Sequence, residues 1–331
     1  MSESDQLIQA FDNRARRRDD RRQLFRMVLG AAAVGAGAFA FTSDAAAQSV
    51  TDNDVLNFAL NLEYLEANFY YYAAFGTPIP TASIGTGGIP ADSLPINAGA
   101  HIVPFADRIV REHAREIAAD ELAHVNFLRS ALGSAAVAQP QIDVGTTPDG
   151  AFSTAARAAG FIGASSATAP TFFDPYADDL SFLYGAYIFE DVGVTAYKGS
   201  SSLLTNKTFL DAAAGILATE AYHAAIIRTN IDQLGARPGL KAATVRDDTE
   251  LVSNARDSLD GATDLDQGIA YVTSGAGPTS NIVPTDGNAL AFGRTAQQVL
   301  NIVYLNKAAV TAGGFFPNGV NGTIKSSANN A

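Results

Sequence analysis

The sequence predicts an all-α fold: a bundle of four long helices followed by an irregular C-terminal extension. Apolar residues recur at three- and four-residue spacings over four long stretches, the first sign of amphipathic helices. Each stretch ends at glycine or in segments rich in Pro, Gly, Ser and Thr, and no strand alternation is sustained anywhere in the 331 residues. Composition fits a folded chain, with 47% hydrophobic and 17% charged residues. The absence of cysteine excludes zinc fingers, iron–sulfur clusters and thiol catalysis. With four histidines in all, any metal chemistry must lean on carboxylates. A net charge of −12 argues against nucleic acid as a partner.

Residues 1–26 are polar and hold seven arginines, among them the pair Arg21-Arg22 in DDRRQLFRM. Met27 to Phe41 is then an unbroken run of 15 small and apolar residues. That is short of the roughly 20 residues that span a bilayer. Ala45-Ala46-Ala47 fits a small-residue cleavage site. Residues 1–47 are therefore expected to be a twin-arginine type export signal, the alternative being an uncleaved anchor. Cleavage would remove seven arginines and six acidic residues, leaving a soluble chain of charge −13 with no stable membrane span. The expected destination is the periplasm or the outside of a bacterium.

The first helix is capped by Thr51 or Asp52 and stops at Gly76. The second is expected from about Phe105 to Leu132, the third over about Asp179–Lys198, and the fourth over about Asn206–Leu234. A short helix is expected near Ser153–Ala159, between turn-rich inserts. The bundle would thus occupy residues 48–235. Beyond Pro238 the sequence predicts polar turns, then the helical run RTAQQVLNIVYLNKA and the terminal GGFFPNGVNG. This extension, residues 236–331, is expected to pack on the bundle, anchored by Phe315 and Phe316.

Acidic residues interrupt the apolar stripes. Glu63 falls among Leu56, Leu60, Ala67 and Tyr70, and Glu190 among Leu183, Tyr187, Val194 and Tyr197. Glu121 and His124 share a face with Ile117 and Leu128, as Glu220 and His223 do with Ile216 and Ile227. The i, i+3 spacing puts carboxylate and imidazole of each pair one turn apart on one side. Four acids and two histidines would then enter one core. Each ionised carboxylate costs several kcal/mol to bury, and four together repel one another. Two divalent ions balance four carboxylates. Oxygen-rich ligation with one imidazole per ion suits iron or manganese better than soft copper sites. The lone glutamates each precede a tyrosine by seven residues, so the two halves of the bundle read as an internal repeat.

Two Glu-x-x-His pairs interleaved with two Glu-x6-Tyr pairs, in this order, resemble the ferritin-like superfamily over roughly residues 52–234. The runs VLNFALNLEYLEANFY, AFGRTAQQVLNIVY and GGFFPNGVNG narrow the resemblance to desiccation-associated ferritin-like domain proteins, nearly to the C-terminus. The resemblance implies a four-helix bundle with a carboxylate-bridged site for two metal ions, iron first and manganese second. Glu63, Glu121, His124, Glu190, Glu220 and His223 are the expected ligands, with Glu121 and Glu220 bridging. Tyr70, Tyr197 and Asp120 are the expected supporting residues. Asp120 precedes Glu121 whereas Thr219 precedes Glu220, so one ion would have the weaker support. Peroxide or dioxygen is the expected reactant, in peroxidase, ferroxidase or manganese-catalase-like chemistry. The rival is a non-enzymatic stress-protective or partner-binding module whose metals are structural. The long insert and extension do not fit a ferritin cage, and a homo-oligomer is left open.

Other polar residues read more plainly. Glu66, one turn from Glu63, is expected to be a solvated or helix-pairing residue, and Glu112, Glu116 and Asp191 to be surface charges. His113, about 12 Å from Glu121 by helical rise, is expected to be a core or entry-channel histidine. His101 falls in a loop. Gly85–Gly88 lacks the strand–turn–helix context of a phosphate loop.

Overall fold

The computed structural model describes residues 50–93, 95–235, 242–269, 272–274 and 277–331. The chain divides into two units, Met1–Ser49 and Val50–Ala331, and the export signal expected over residues 1–47 lies outside the described residues. In the second unit α1 (Asp52–Phe75), α2 (Arg108–Leu132), α3 (Ala151–Ala158), α4 (Asp179–Ser200) and α5 (Lys207–Gly235) follow in order. α1 packs along α2 and α4 along α5. α1 starts in a capping box: Thr51 accepts from the Asp54 amide while the Asp54 carboxylate accepts from the Thr51 amide, 2.8 Å away. It stops at Gly76, whose φ of 73° is a left-handed conformation that costs glycine little. α2 starts three residues later than expected, because Pro104 and the cap Asp107 delay it; Asp107 accepts from the amides of Ile109 and Val110.

α1 and α4 form the inner pair. From Val55 to Ala74 only Tyr71 escapes full burial, as expected of a helix apolar almost all round. α2 instead buries one stripe, Val110, Ala114, Ile117, Ala118, Glu121, Val125, Leu128 and Leu132, and leaves its other residues half-buried or exposed.

The extension is less irregular than the sequence suggests. It holds α6 (Ala242–Asp260), a ribbon of two antiparallel three-residue strands, β1 (Val272–Ser274) and β2 (Gly277–Thr279), and α7 (Ala296–Val303). Polar turns were expected where α6 lies. Its described inward positions include Val245, Thr249, Val252, Ser253, Arg256 and Asp260, at helical spacings but mostly polar. An apolar stripe therefore never shows. The polar groups are satisfied by an ion network that also overturns the surface reading of Asp191. Asp191 is buried, 2.8 Å from Arg228 and 3.2 Å from Arg256. Arg294, from the loop before α7, reaches Asp260 at 2.6 Å and Asp266 at 3.2 Å. Phe315 is fully buried, its ring 5.2 Å from Phe152 and 4.9 Å from Phe189, so this segment is pinned against α3 and α4. Phe316 is buried with it.

Candidate metal centre

The six expected ligand side chains meet midway along the bundle. Glu63 enters from α1, Glu121 and His124 from α2, Glu190 from α4, and Glu220 and His223 from α5. All but His124 are buried, and the His124 side chain is 11% exposed. Glu63, Glu121, His124 and Glu220 each offer a ligand atom within 4.8 Å of the others, and Glu121, Glu190 and His223 form a second such group. Glu121 belongs to both. His124 Nδ1 lies 3.2 Å from Glu63 and 3.5 Å from both Glu121 and Glu220. His223 Nδ1 lies 2.9 Å from Glu121 and 3.7 Å from Glu190. The imidazole centroids are 6.2 Å apart.

The supporting contacts cross between the halves of the bundle. Tyr70 on α1 donates to Glu190 on α4, and Tyr197 on α4 donates to Glu63 on α1. Asp120 on α2 sits 3.2 Å from His223 Nε2 on α5. Thr219 does not repeat that contact toward α2, since its hydroxyl donates to the Gly215 carbonyl of its own helix. His101 lies in a loop, exposed, with Nδ1 2.6 Å from the Gly99 carbonyl and away from the cluster.

Electrostatics make this core costly without cations. Burial pushes Glu63 up to about 7 and Glu190 up to about 8, despite the opposing pull of His124 and His223. Burial and then the charge of Glu121 raise Glu220 well above the carboxylate range. Glu121 runs the other way: burial would raise it, but the adjacent side chains of His124 and His223 outweigh burial. The histidines are held protonated against burial, His124 up to about 11 chiefly by Glu63, and His223 up to about 9 chiefly by Glu190. Both oxygens of Glu121 and of Glu220, Glu190 Oε2 and His223 Nδ1 are buried without a hydrogen-bond partner. Buried polar atoms are seldom orphaned, and here they converge on one volume from three helices, α2, α4 and α5. This donor set of carboxylate oxygens and imidazole nitrogens fits metal ions of the hard-to-borderline class.

Sequence reasoning placed Glu66 on the surface, and the structure corrects this. Glu66 is 5% exposed, and burial followed by repulsion from Glu121, Glu190 and Glu63 raises it well above its ordinary value. Its helix is buried all round, so the usual outlet for a charge one turn from a ligand does not exist. Gly193 on α4 clears the space: a Cβ there would lie 2.4 Å from Glu220 Oε2 and 3.5 Å from Glu66 Oε1. A glycine in the middle of an otherwise apolar helix was the available sign. His113 is half-buried, paired at 3.0 Å with Asn230 on α5.

Residues 51–233, which run from the cap of α1 almost to the end of α5, match the ferritin-like domain. The chain belongs to the ferritin-like domain family. Among its relatives is the desiccation-related protein PCC13-62 of Craterostigma plantagineum, 30% identical over 262 residues, which are 76% of each chain. Another is the ferritin-like catalase Nec2 of Nesocodon mauritianus, 26% identical over 292 residues, 86% of this chain and 88% of that one. Both alignments outrun the ferritin-like domain, so the relatives share sequence beyond the bundle. In this ferritin-like chain no helix among the described residues is long and apolar enough to cross a membrane.

Proposed function

We propose that the protein is an exported dimetal-carboxylate protein that acts on hydrogen peroxide or dioxygen under stress. The observation that carries this is Glu121, which belongs to both ligand groups and has both oxygens buried, without a hydrogen bond, facing the two histidines, as a group shared by two ions would be. The relative named a ferritin-like catalase supports peroxide as the reactant. The relative named desiccation-related supports the stress setting. Iron or manganese, held there, would supply the redox change that interconverts peroxide, dioxygen and water. In disproportionation one peroxide is oxidised to dioxygen while a second is reduced to two waters.

The chain's own residues would do the following. Glu63, Glu220 and His124 would hold one ion and Glu190 and His223 the other; of the two glutamates expected to bridge, Glu121 falls in both groups and Glu220 in the first alone. Tyr70 and Tyr197, donating to Glu190 and Glu63, keep one oxygen of each turned away and the other turned inward. Asp120 accepts a hydrogen bond from His223 Nε2, which turns Nδ1 toward Glu121 and Glu190, where a bound ion would take the place of its proton. Export rests on Arg21-Arg22 and the apolar run that follows.

Hydrogen peroxide added to the iron- and manganese-loaded protein tests the reading by oxygen release and absorbance. Glu63→Ala and His223→Ala are expected to abolish the response, and His101→Ala to leave it. If neither loaded form responds, the ions are structural and the protein is a stress-protective or partner-binding module. For export, Arg21→Lys with Arg22→Lys keeps the charge and alters the pair. A double variant that reaches the periplasm at the wild-type rate removes the twin-arginine assignment.

A further inference from the structure

Between α2 and α5 runs a groove of about 670 Å³ whose lining includes His223 itself. On the opposite side of the cluster the extension closes the bundle. There Ile302, Val303 and Phe315 leave against Glu66 a void of only about 10 Å³, room for one water at most. The groove thus reaches the outer edge of the cluster at His223, whose side chain is 3% exposed, while the other side is packed shut. The α2 side of the groove carries carboxylates one turn apart, Glu116, which is exposed, and Asp120, whose side chain is 44% exposed and 3.2 Å from His223. No lysine or arginine is among the lining residues.

We propose that this groove is the route by which divalent cations reach the centre, with Glu116 and Asp120 as its electrostatic guide. The proposal rests on the metal-centre reading. Acidic walls in a concave, partly desolvated channel concentrate cations and raise their rate of arrival, an effect that falls with ionic strength. Two carboxylates at i and i+4 present their charge along one line, ending on a buried imidazole. Glu112 lies on the same helix, one turn before Glu116. It is 50% exposed, pairs with Arg108 at 2.7 Å, and stands outside the groove. Charge at Glu116 and charge at Glu112 are therefore equal in sum and different in place.

The test measures how fast the metal-free full chain takes up Mn²⁺, followed by loss of the free ion's electron paramagnetic resonance signal, with Fe²⁺ as the second probe. Glu116→Lys is expected to slow uptake about ten-fold at low ionic strength, with the difference closing as salt is raised. Glu112→Lys, with the same change in net charge, is expected to leave the rate nearly unchanged. Thr229→Trp, which fills the groove without altering charge, is expected to slow uptake at every ionic strength. None of the three should change the amount bound at equilibrium. Equal slowing by both lysine variants, or unchanged rates with Glu116→Lys and Thr229→Trp, overturns the route while equilibrium binding leaves the centre standing. A wild-type chain that binds neither ion at equilibrium overturns both.

Discussion

Glu121 is the one carboxylate common to both ligand groups, so both ions should depend on it. Glu121→Ala is expected to remove more metal per chain than Glu63→Ala or Glu190→Ala, each of which strips one group; elemental analysis of the loaded variants measures this. Within the centre Asp120 touches His223 and belongs to neither ligand group. Asp120→Asn keeps its size but loses the charge that orients the imidazole, and should weaken one ion by about 10–100-fold while sparing the other. A metal titration resolves the two steps, and equal weakening of both would contradict that assignment. The same logic explains an asymmetry visible in the sequence. Thr219 bonds to its own helix, so His124 gains no matching contact from it. These ligand positions are legible in the sequence because a covalent i, i+3 spacing on a helix already places two side chains together.

At the scale of elements, Gly193 sets helix propensity against site geometry. Alanine favours a helix interior by about 1 kcal/mol over glycine, so propensity alone makes Gly193→Ala stabilising. Its Cβ would stand 2.4 Å from Glu220 Oε2, however, and the carboxylate must move. The expected outcome is weaker metal binding without loss of helix, read by metal titration beside circular dichroism. The joint of α4, α5, α6 and the loop before α7 depends on buried ion pairs. Arg294→Ala strands the buried Asp260 and leaves Asp266 to Arg256 alone, and should cost about 3–5 kcal/mol in denaturant unfolding. A loss under 1 kcal/mol, on the order of an exposed pair, would show that water reaches the joint. α6 was illegible for the same reason: its inward stripe is largely polar and becomes a stripe only through Asp266, beyond the helix end, and through Asp191 and Arg294, far off in sequence.

For the whole molecule, the cluster ties stability to pH and to metal. Without metal, Glu63 (about 7), Glu190 (about 8), His223 (about 9) and His124 (about 11) all bind protons more tightly folded than unfolded. The native state then holds more protons, so stability falls as pH rises, the carboxylates acting from about 4.5 to 8 and the histidines from about 6.5 to 11. The metal-free protein should therefore melt higher at pH 5.5 than at pH 8.5. Bound ions replace those protons, so the loaded protein should show the opposite order and release acid as it loads. Thermal melts of both forms at the two pH values check this, and a metal-free melt that rises with pH would show that the buried groups are not protonated as described.

By itself the sequence determined what depends on distance along the chain. It set where α1 is capped, that four helices carry the charges, and that each Glu-x-x-His pair shares a face, because local hydrogen bonding and the 3.6-residue period decide these things. Only the tertiary structure decided which side chain meets which across helices: Tyr70 on Glu190, Tyr197 on Glu63, Asp120 on His223. Tertiary packing also decided that Glu66 is inside and Asp191 is paired. A charge one turn from an apolar stripe faces water unless its helix is enclosed on every side, and enclosure is a property of the neighbours, which no window of sequence contains.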